Sequence, residues 1–197
     1  MRLILASASP RRAELLAAAG YSFEVRAVDI DERSLPDELP ADYVQRLAAG
    51  KSLRALEEVN MGDGYIVLGA DTAVVLGGQI LGKPRDAEDA ARMLRVLSGR
   101  THQVFTGVSG RSAAATLTLV EETAVTFVRL TEEQIAWYVA SGEGSDKAGG
   151  YGIQGLASRF VPRIQGSYSN VVGLPVAAVD RLIQRLSRPV RALASEG

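Results

Sequence analysis

The chain has 197 residues, 47% of them apolar and 23% charged, with a formal net charge of −1. These values describe one ordinary globular domain, or one domain with a lobe, and exclude a general nucleic-acid surface, which needs a marked basic excess. With no cysteine and a single histidine, His102, there is no disulfide frame, thiolate nucleophile, zinc-cysteine site or multi-histidine centre, so the metal ligands on offer are carboxylates, suited to Mg²⁺ or Mn²⁺.

The amino terminus imitates an export signal, with Arg2, then Leu3, Ile4 and Leu5, then Ala6, Ser7 and Ala8. Its apolar part is far too short for one. No apolar run approaches the length that crosses a bilayer. A cytoplasmic location and no membrane partner are therefore expected. Residues 2–6 read as a short buried strand. Ser9 is a good N-cap and Pro10 the favoured first residue of a helix over 11–19 that Gly20 ends. The junction Ser7-Ala-Ser-Pro-Arg-Arg12 holds the parts of an anion site: free backbone N–H groups, a helix-dipole end, the Ser7 and Ser9 hydroxyls, and the Arg11 and Arg12 guanidinium groups. It reads equally as a capped helix with two solvated arginines.

Residues 23–28 read as a second strand, with Phe23, Val25 and Ala27 on one face. It runs into Asp29-Ile-Asp-Glu32, an acidic knot that holds a divalent cation if another acid converges on it and is otherwise merely solvated. A loop with Pro36 and Pro40 follows. The next helix, about 41–59, carries an apolar stripe of Val44, Leu47, Ala48, Ala55 and Val59, and Lys51 falls within that stripe. Either an anion from elsewhere meets Lys51, or its stem lies on apolar surface while the ammonium reaches water. Of the 22 basic side chains only Lys51, Lys83 and Lys147 are lysine. In so arginine-rich a chain, these positions suit a compact point charge rather than a planar fork.

The run Tyr65 to Leu76, closed by Gly77 and Gly78, is the most strand-like in the chain and the one around which a sheet would form. Asp71 lies in its middle. A carboxylate there must be paired, hydrogen-bonded or coordinating, since an isolated buried charge is very costly. It is either a structural acid or a functional one. Gly69 allows close approach of backbone or ligand. The glycine pair turns the chain into a hairpin over 79–81 that presents Lys83.

Asp86 caps a helix running to Ser98. Thr101 to Val108 alternates like a strand, and His102 within it reads as a structural residue rather than an acid–base group. A long strand over 114–129 and a capping box, Thr131-Glu-Glu-Gln134, opening a helix to about Ser141 come next. Between Gly142 and Gly173 the chain is glycine-rich. Gly150, Gly152 and Gly155 match the G-x-G-x-x-G fingerprint, but no apolar strand feeds it and no helix follows in a βαβ unit, so it is not a dinucleotide site. The glycines instead let backbone approach a flat ligand, with Gln154 offering an amide donor and acceptor. Short strands are expected at Phe160-Val161 and Ser169–Val172, then a helix from Pro175 through Leu186 and a frayed tail over 187–197.

Several ordered segments together resemble the Maf-like nucleotide pyrophosphatases. They are Leu5-Ala-Ser-Ala-Ser-Pro-Arg-Arg12, Asp29-Ile-Asp-Glu32, Gly69-Ala-Asp-Thr72, Gly82-Lys-Pro84, Ser98-Gly-Arg-Thr-His102, Asp146-Lys-Ala-Gly149, Tyr151-Gly-Ile-Gln-Gly155 and Gly166-Ser-Tyr-Ser-Asn-Val-Val-Gly-Leu-Pro175. The resemblance spans nearly the whole chain, so residues 1–197 are expected to form one Maf-like domain. It implies an α/β fold of the inosine-triphosphate-pyrophosphatase-like type, a mixed sheet flanked by helices with a deep cleft. It also implies metal-dependent hydrolysis of a nucleoside triphosphate to monophosphate and pyrophosphate, in the branch acting on dTTP and UTP. By the same match Asp71 is the proton acceptor, and Arg12, Thr72 and Gln154 are specificity positions. A homodimer and a link to septum formation are implied too.

The residues themselves suit that chemistry. Mg²⁺ shared by Glu32 and Asp71 would neutralise charge on phosphoryl oxygens, while Arg11 or Arg12, Lys51 and Lys83 balance the triphosphate. Two rivals stand beside this reading: a non-catalytic nucleotide sensor regulating division, and an enzyme that removes only the γ-phosphate.

Overall fold

The computed structural model describes residues 2–58 and 64–187. At its centre lies β3 (Tyr65–Leu76), buried on both faces from Ile66 to Ala70 and again over Ala73–Val75. Alternate residues of a strand face opposite ways. Ile66, Leu68 and Ala70 therefore join Leu16 of α1 (Pro10–Ala18) and Val179, Leu182 and Ile183 of α6 (Val176–Leu186) in one cluster. Val67, Ala73 and Val75 face α2 (Pro40–Glu57) on the other side, with its Val44 and Ala55. Fully burying one such side chain contributes roughly 1.5–3 kcal/mol.

The seven-stranded sheet is mixed, in the order β2-β1-β3-β5-β6-β7, with β4 also paired to β3. The outer members are β1 (Arg2–Ala6), β2 (Phe23–Val25) and β4 (Gln79–Leu81) on one side, and β5 (Thr101–Arg111), β6 (Thr116–Thr126) and β7 (Arg163–Gln165) on the other. Helices cover both faces, as an α/β fold requires. The three β1, β2 and β3 strands run parallel, and every other pairing is antiparallel. Among the described residues no helix is long and apolar enough to cross a membrane.

One edge of β3 is interrupted. Its first half pairs with β1 as far as Ala6↔Gly69, and β4 takes up the same edge only from Val74↔Leu81. β5 occupies the opposite edge throughout, from Val67 to Val75. Along Ala70–Ala73 the sheet therefore has a gap, with Asp71 inside it. The chain leaves β1 through Ser7 on one side of the gap and returns from β4 through Gly82 and Lys83 on the other.

Helix α2 lies unusually close over this region. A Cβ on Gly69 would stand 2.2 Å from the Ala48 carbonyl oxygen, and one on Gly107 2.2 Å from that of Val44. Gly107 is the register partner of Asp71 on β5. Bare glycines on both neighbouring strands thus let the helix backbone touch the sheet, which is the close approach anticipated at Gly69.

Most local signals are met. Asp86 accepts a hydrogen bond from the Asp89 N–H at the head of α3 (Ala87–Leu97), and the Thr131/Gln134 capping box opens α4 (Glu132–Ala140). Three differ. β2 ends at Val25 rather than Val28, although the Arg26 N–H still donates to Leu5 O at 2.9 Å. Ser9 occupies the cap position of α1 without a side-chain cap bond; its own N–H donates to Ser7 Oγ instead. Ser169–Val172 is not a strand but part of α5 (Tyr168–Val172), because Ser167 Oγ accepts from the Asn170 N–H and starts a helical turn. Phe160 likewise closes a 3-10 turn, Leu156–Phe160, ahead of β7. Val59 of the predicted α2 stripe and residues 188–197 of the predicted tail lie outside the described residues.

Candidate active site

A cleft of about 780 Å³ opens over the sheet gap, at the carboxyl end of β1. Crevices outside the carboxyl ends of parallel strands are the usual ligand sites of α/β sheets. Ser7, Ser9, Arg11, Arg12, Glu32, Lys51, Asp71, Thr72, Lys83 and Gln154 all line it, as does Lys147. His102 does not. Its ring is wholly buried, bonded through Nε2 to the Tyr151 hydroxyl at 2.7 Å and packed edge-on to Phe127 and Tyr151. Burial drives its pKa down to about 4, so it is a neutral core residue.

On the α2 side, Lys51 Nζ stands 2.7 Å from Asp71 Oδ1 and 2.6 Å from Glu32 Oε1. The inward lysine has found two anions, one from the strand and one from the acidic knot. The close seating of α2 at Gly69 and Gly107 brings its stem within reach. Burial alone would raise the Glu32 carboxyl; the hydrogen bond from Lys51 and the charges of Lys51, Lys83 and Arg12 outweigh it and hold the group below its ordinary value. Tyr43 donates to the Glu32 carbonyl at 3.0 Å, and burial followed by the charges of Asp71 and Glu32 pushes its phenol up to about 12.

Thr72 points to the opposite face of β3. There the buried Arg12 guanidinium ties three segments together, donating to Gly173 O at 2.8 Å, Ser7 Oγ at 3.1 Å and Thr72 Oγ1 at 3.1 Å. Its burial lowers its pKa, with the Asp71 charge opposing. Thr72 Oγ1 also meets Thr106 Oγ1 at 2.9 Å. Neither solvated nor loosely placed, Arg12 is a strut of the cleft wall.

The cations around the mouth differ in freedom. Arg11 pairs with Asp146 at 3.2 Å, and Lys147 pairs with the same carboxylate at 2.6 Å. Lys83 is exposed and makes no ion pair among the described residues. On the far wall Gln154 is exposed too, its side chain without a hydrogen-bond partner among the described residues. Sequence reasoning gave no role to Glu143, and quoted Asp146 only as part of a motif. The signal for Glu143 was its place between Gly142 and Gly144, in a glycine-rich stretch where any acid must serve as an anchor or be solvated.

Among the described residues no group of three acidic or histidine side chains converges. The expected pair, Glu32 and Asp71, does converge, with the Lys51 ammonium between them. Such a two-carboxylate set fits Mg²⁺, which is commonly held by one or two carboxylates together with substrate phosphates and water.

Residues 2–186 match the family model described as "Maf-like protein". The chain is 53% identical over 193 residues to a dTTP/UTP pyrophosphatase of Anaeromyxobacter dehalogenans strain 2CP-C, covering 96% of each. It is 50% identical over 186 residues to a dTTP/UTP pyrophosphatase of Pseudoalteromonas atlantica, covering 94% of this chain and 97% of that one. Among solved structures, a nucleoside-triphosphatase/dITP/XTP pyrophosphatase from Mycobacterium abscessus aligns with a TM-score of 0.46 at 14% identity, covering 95% of this chain and 99% of that one.

Proposed function

The chain belongs to the family of Maf-like proteins, and from that premise we propose that it hydrolyses dTTP and UTP to the monophosphate and pyrophosphate. The observation that carries the reading is the Glu32–Lys51–Asp71 cluster, seated in the sheet gap beneath a cleft rimmed by Arg11, Lys83 and Lys147. The names of the relatives at 50–53% identity support the substrate class.

In this reading the triphosphate lies across the gap. Lys83, lacking an ion-pair partner among the described residues, takes phosphate charge, and Arg11 and the α1 amino terminus add donors. Asp71 accepts the proton of the attacking water. Lys51 holds that carboxylate in place and keeps a positive charge beside the phosphoryl oxygens, which is most of what phosphoryl transfer asks of a protein. Glu32 and Asp71 would hold a magnesium ion, which when bound supplies charge neutralisation to the phosphoryl oxygens. Gln154 reads the uracil or thymine edge through paired hydrogen bonds, a device that rejects bases leaving the amide unpaired.

Incubation of the purified protein with dTTP and Mg²⁺ tests this. Pyrophosphate and dTMP are expected, with chelation by EDTA abolishing turnover and added Mg²⁺ restoring it. Orthophosphate with dTDP would assign the γ-phosphate reaction instead. Binding without any product would make the protein a sensor.

A further inference from the structure

Gln154 sits at the crown of an arch, and both feet of that arch rest on one carboxylate. At the first foot the Gly152 N–H donates to the Tyr138 hydroxyl at 3.0 Å, and that hydroxyl donates to Glu143 Oε1 at 2.9 Å. At the second, the Leu156 N–H donates to Glu143 Oε2 at 2.8 Å. Between them the Gly155 N–H closes back on the Gly152 carbonyl at 3.3 Å. The carboxylate lies directly under the arch: a Cβ on Gly155 would stand 2.2 Å from Glu143 Oε2. Lys147 flanks the other foot, its stem 2.8 Å from where a Gly152 Cβ would be, and its ammonium donates to the Glu143 carbonyl.

These contacts also tie the arch to the core, where its Ile153 packs with Tyr138, Tyr151 and Ala157, while Gln154 and Leu156 stay exposed. They fix the direction in which the crown faces, toward a cleft that Glu143 and Gln154 both line. Tyr138 makes the base of the arch rigid, since its ring is buried in the α4 core against Phe160. An exposed glutamine with several rotamers can discriminate bases only if its backbone is held, because a misplacement of about 1 Å suffices to lose ~100-fold.

We propose, on the footing of the pyrophosphatase reading, that Glu143 is a positioning residue for base selection, acting through the Gly152–Leu156 backbone rather than touching the nucleotide. It makes pyrimidine preference depend on a carboxylate that never contacts the base.

The test is steady-state kinetics on dTTP, UTP, CTP and dGTP, with folding checked by circular dichroism. Glu143→Ala is expected to raise KM for dTTP and to narrow the dTTP-over-dGTP preference in kcat/KM, each by ~10-fold or more, with kcat on dTTP changing less than ~3-fold. Glu143→Gln, whose amide oxygen still accepts from the Leu156 N–H, retains most of the preference and keeps the test open should the alanine variant unfold. Tyr138→Phe, which frees the Gly152 foot, moves preference in the same direction as alanine at 143. Preference and KM unchanged in a folded Glu143→Ala protein would overturn the inference and leave the pyrophosphatase reading standing. Equal turnover of all four nucleotides by the unaltered protein, or turnover of none, would overturn both.

Discussion

Asp71 is a carboxylate in a strand that is otherwise nearly all apolar, and the structure shows what makes it tolerable. Taking an unpaired ion out of water carries a penalty of several kcal/mol. Here Lys51 meets it at 2.7 Å, and the exposed Glu32 shares the same ammonium. The pairing could not be read from the α2 segment, because both acids lie outside it, one before and one after. Lys51 looked equally suited to reaching water. Asp71→Asn keeps the shape and removes the proposed proton acceptor, so turnover of dTTP is expected to fall ~10²-fold or more, as loss of a positioned base does. A pyrophosphate-release assay that finds near-native turnover in this variant would take the base role away from Asp71. Arg12 gives the converse lesson. Its place in the sequence read equally well as a solvated arginine, yet each of its three guanidinium nitrogens donates to protein in the cleft wall.

At the scale of elements, the decisive contact is α2 against the sheet. Helix and strands were each legible from hydrophobic period and caps, and so was the hairpin through Gly77 and Gly78. What period cannot reveal is which strand a helix crosses and how near it comes. Gly69 carried a hint of close approach, whereas Gly107 looked like any residue of an alternating strand. Gly107→Ala puts a methyl group 2.2 Å from the Val44 carbonyl, where backbone on both sides cannot yield. Overpacking of this kind costs about 1–3 kcal/mol, and the upper end is expected here. Urea unfolding measures it, with Gly82→Ala as the control, since nothing lies within 4 Å of the added carbon there. Equal midpoints for the two variants would mean that α2 sits farther from the sheet than described. The misread segment, Ser169–Val172, shows the limit of short patterns: four residues alternate equally well as a strand or as one helical turn, and the Ser167 cap decides between them.

For the whole molecule, His102 offers a handle because it is the single histidine of the chain. Its pKa in the folded protein is about 4, lowered by burial, against an ordinary value of 6.5. The unfolded chain therefore binds a proton through this window that the folded protein refuses. Stability from this source is complete above pH 6.5 and declines as pH falls toward 4, by about 1.4 kcal/mol per unit. Between pH 7 and 5 the expected loss is about 2 kcal/mol, followed by denaturant titration at each pH. His102→Gln should flatten that slope; a flat profile in the unaltered protein would contradict neutral burial. The meeting of remote segments in one cleft was legible only through the order of the motifs. The switch from parallel to antiparallel pairing across β3 was not, since strand polarity leaves no mark on composition. That switch has a last consequence. The open stretch of β3 ends where β1 and β4 stop, at Gly69 and Val74, so the berth for a ligand is measured in main-chain residues. Exchanging side chains can retune such a berth but cannot lengthen it; only an insertion or deletion near Ser7 or Gly82 would change the size of molecule it admits.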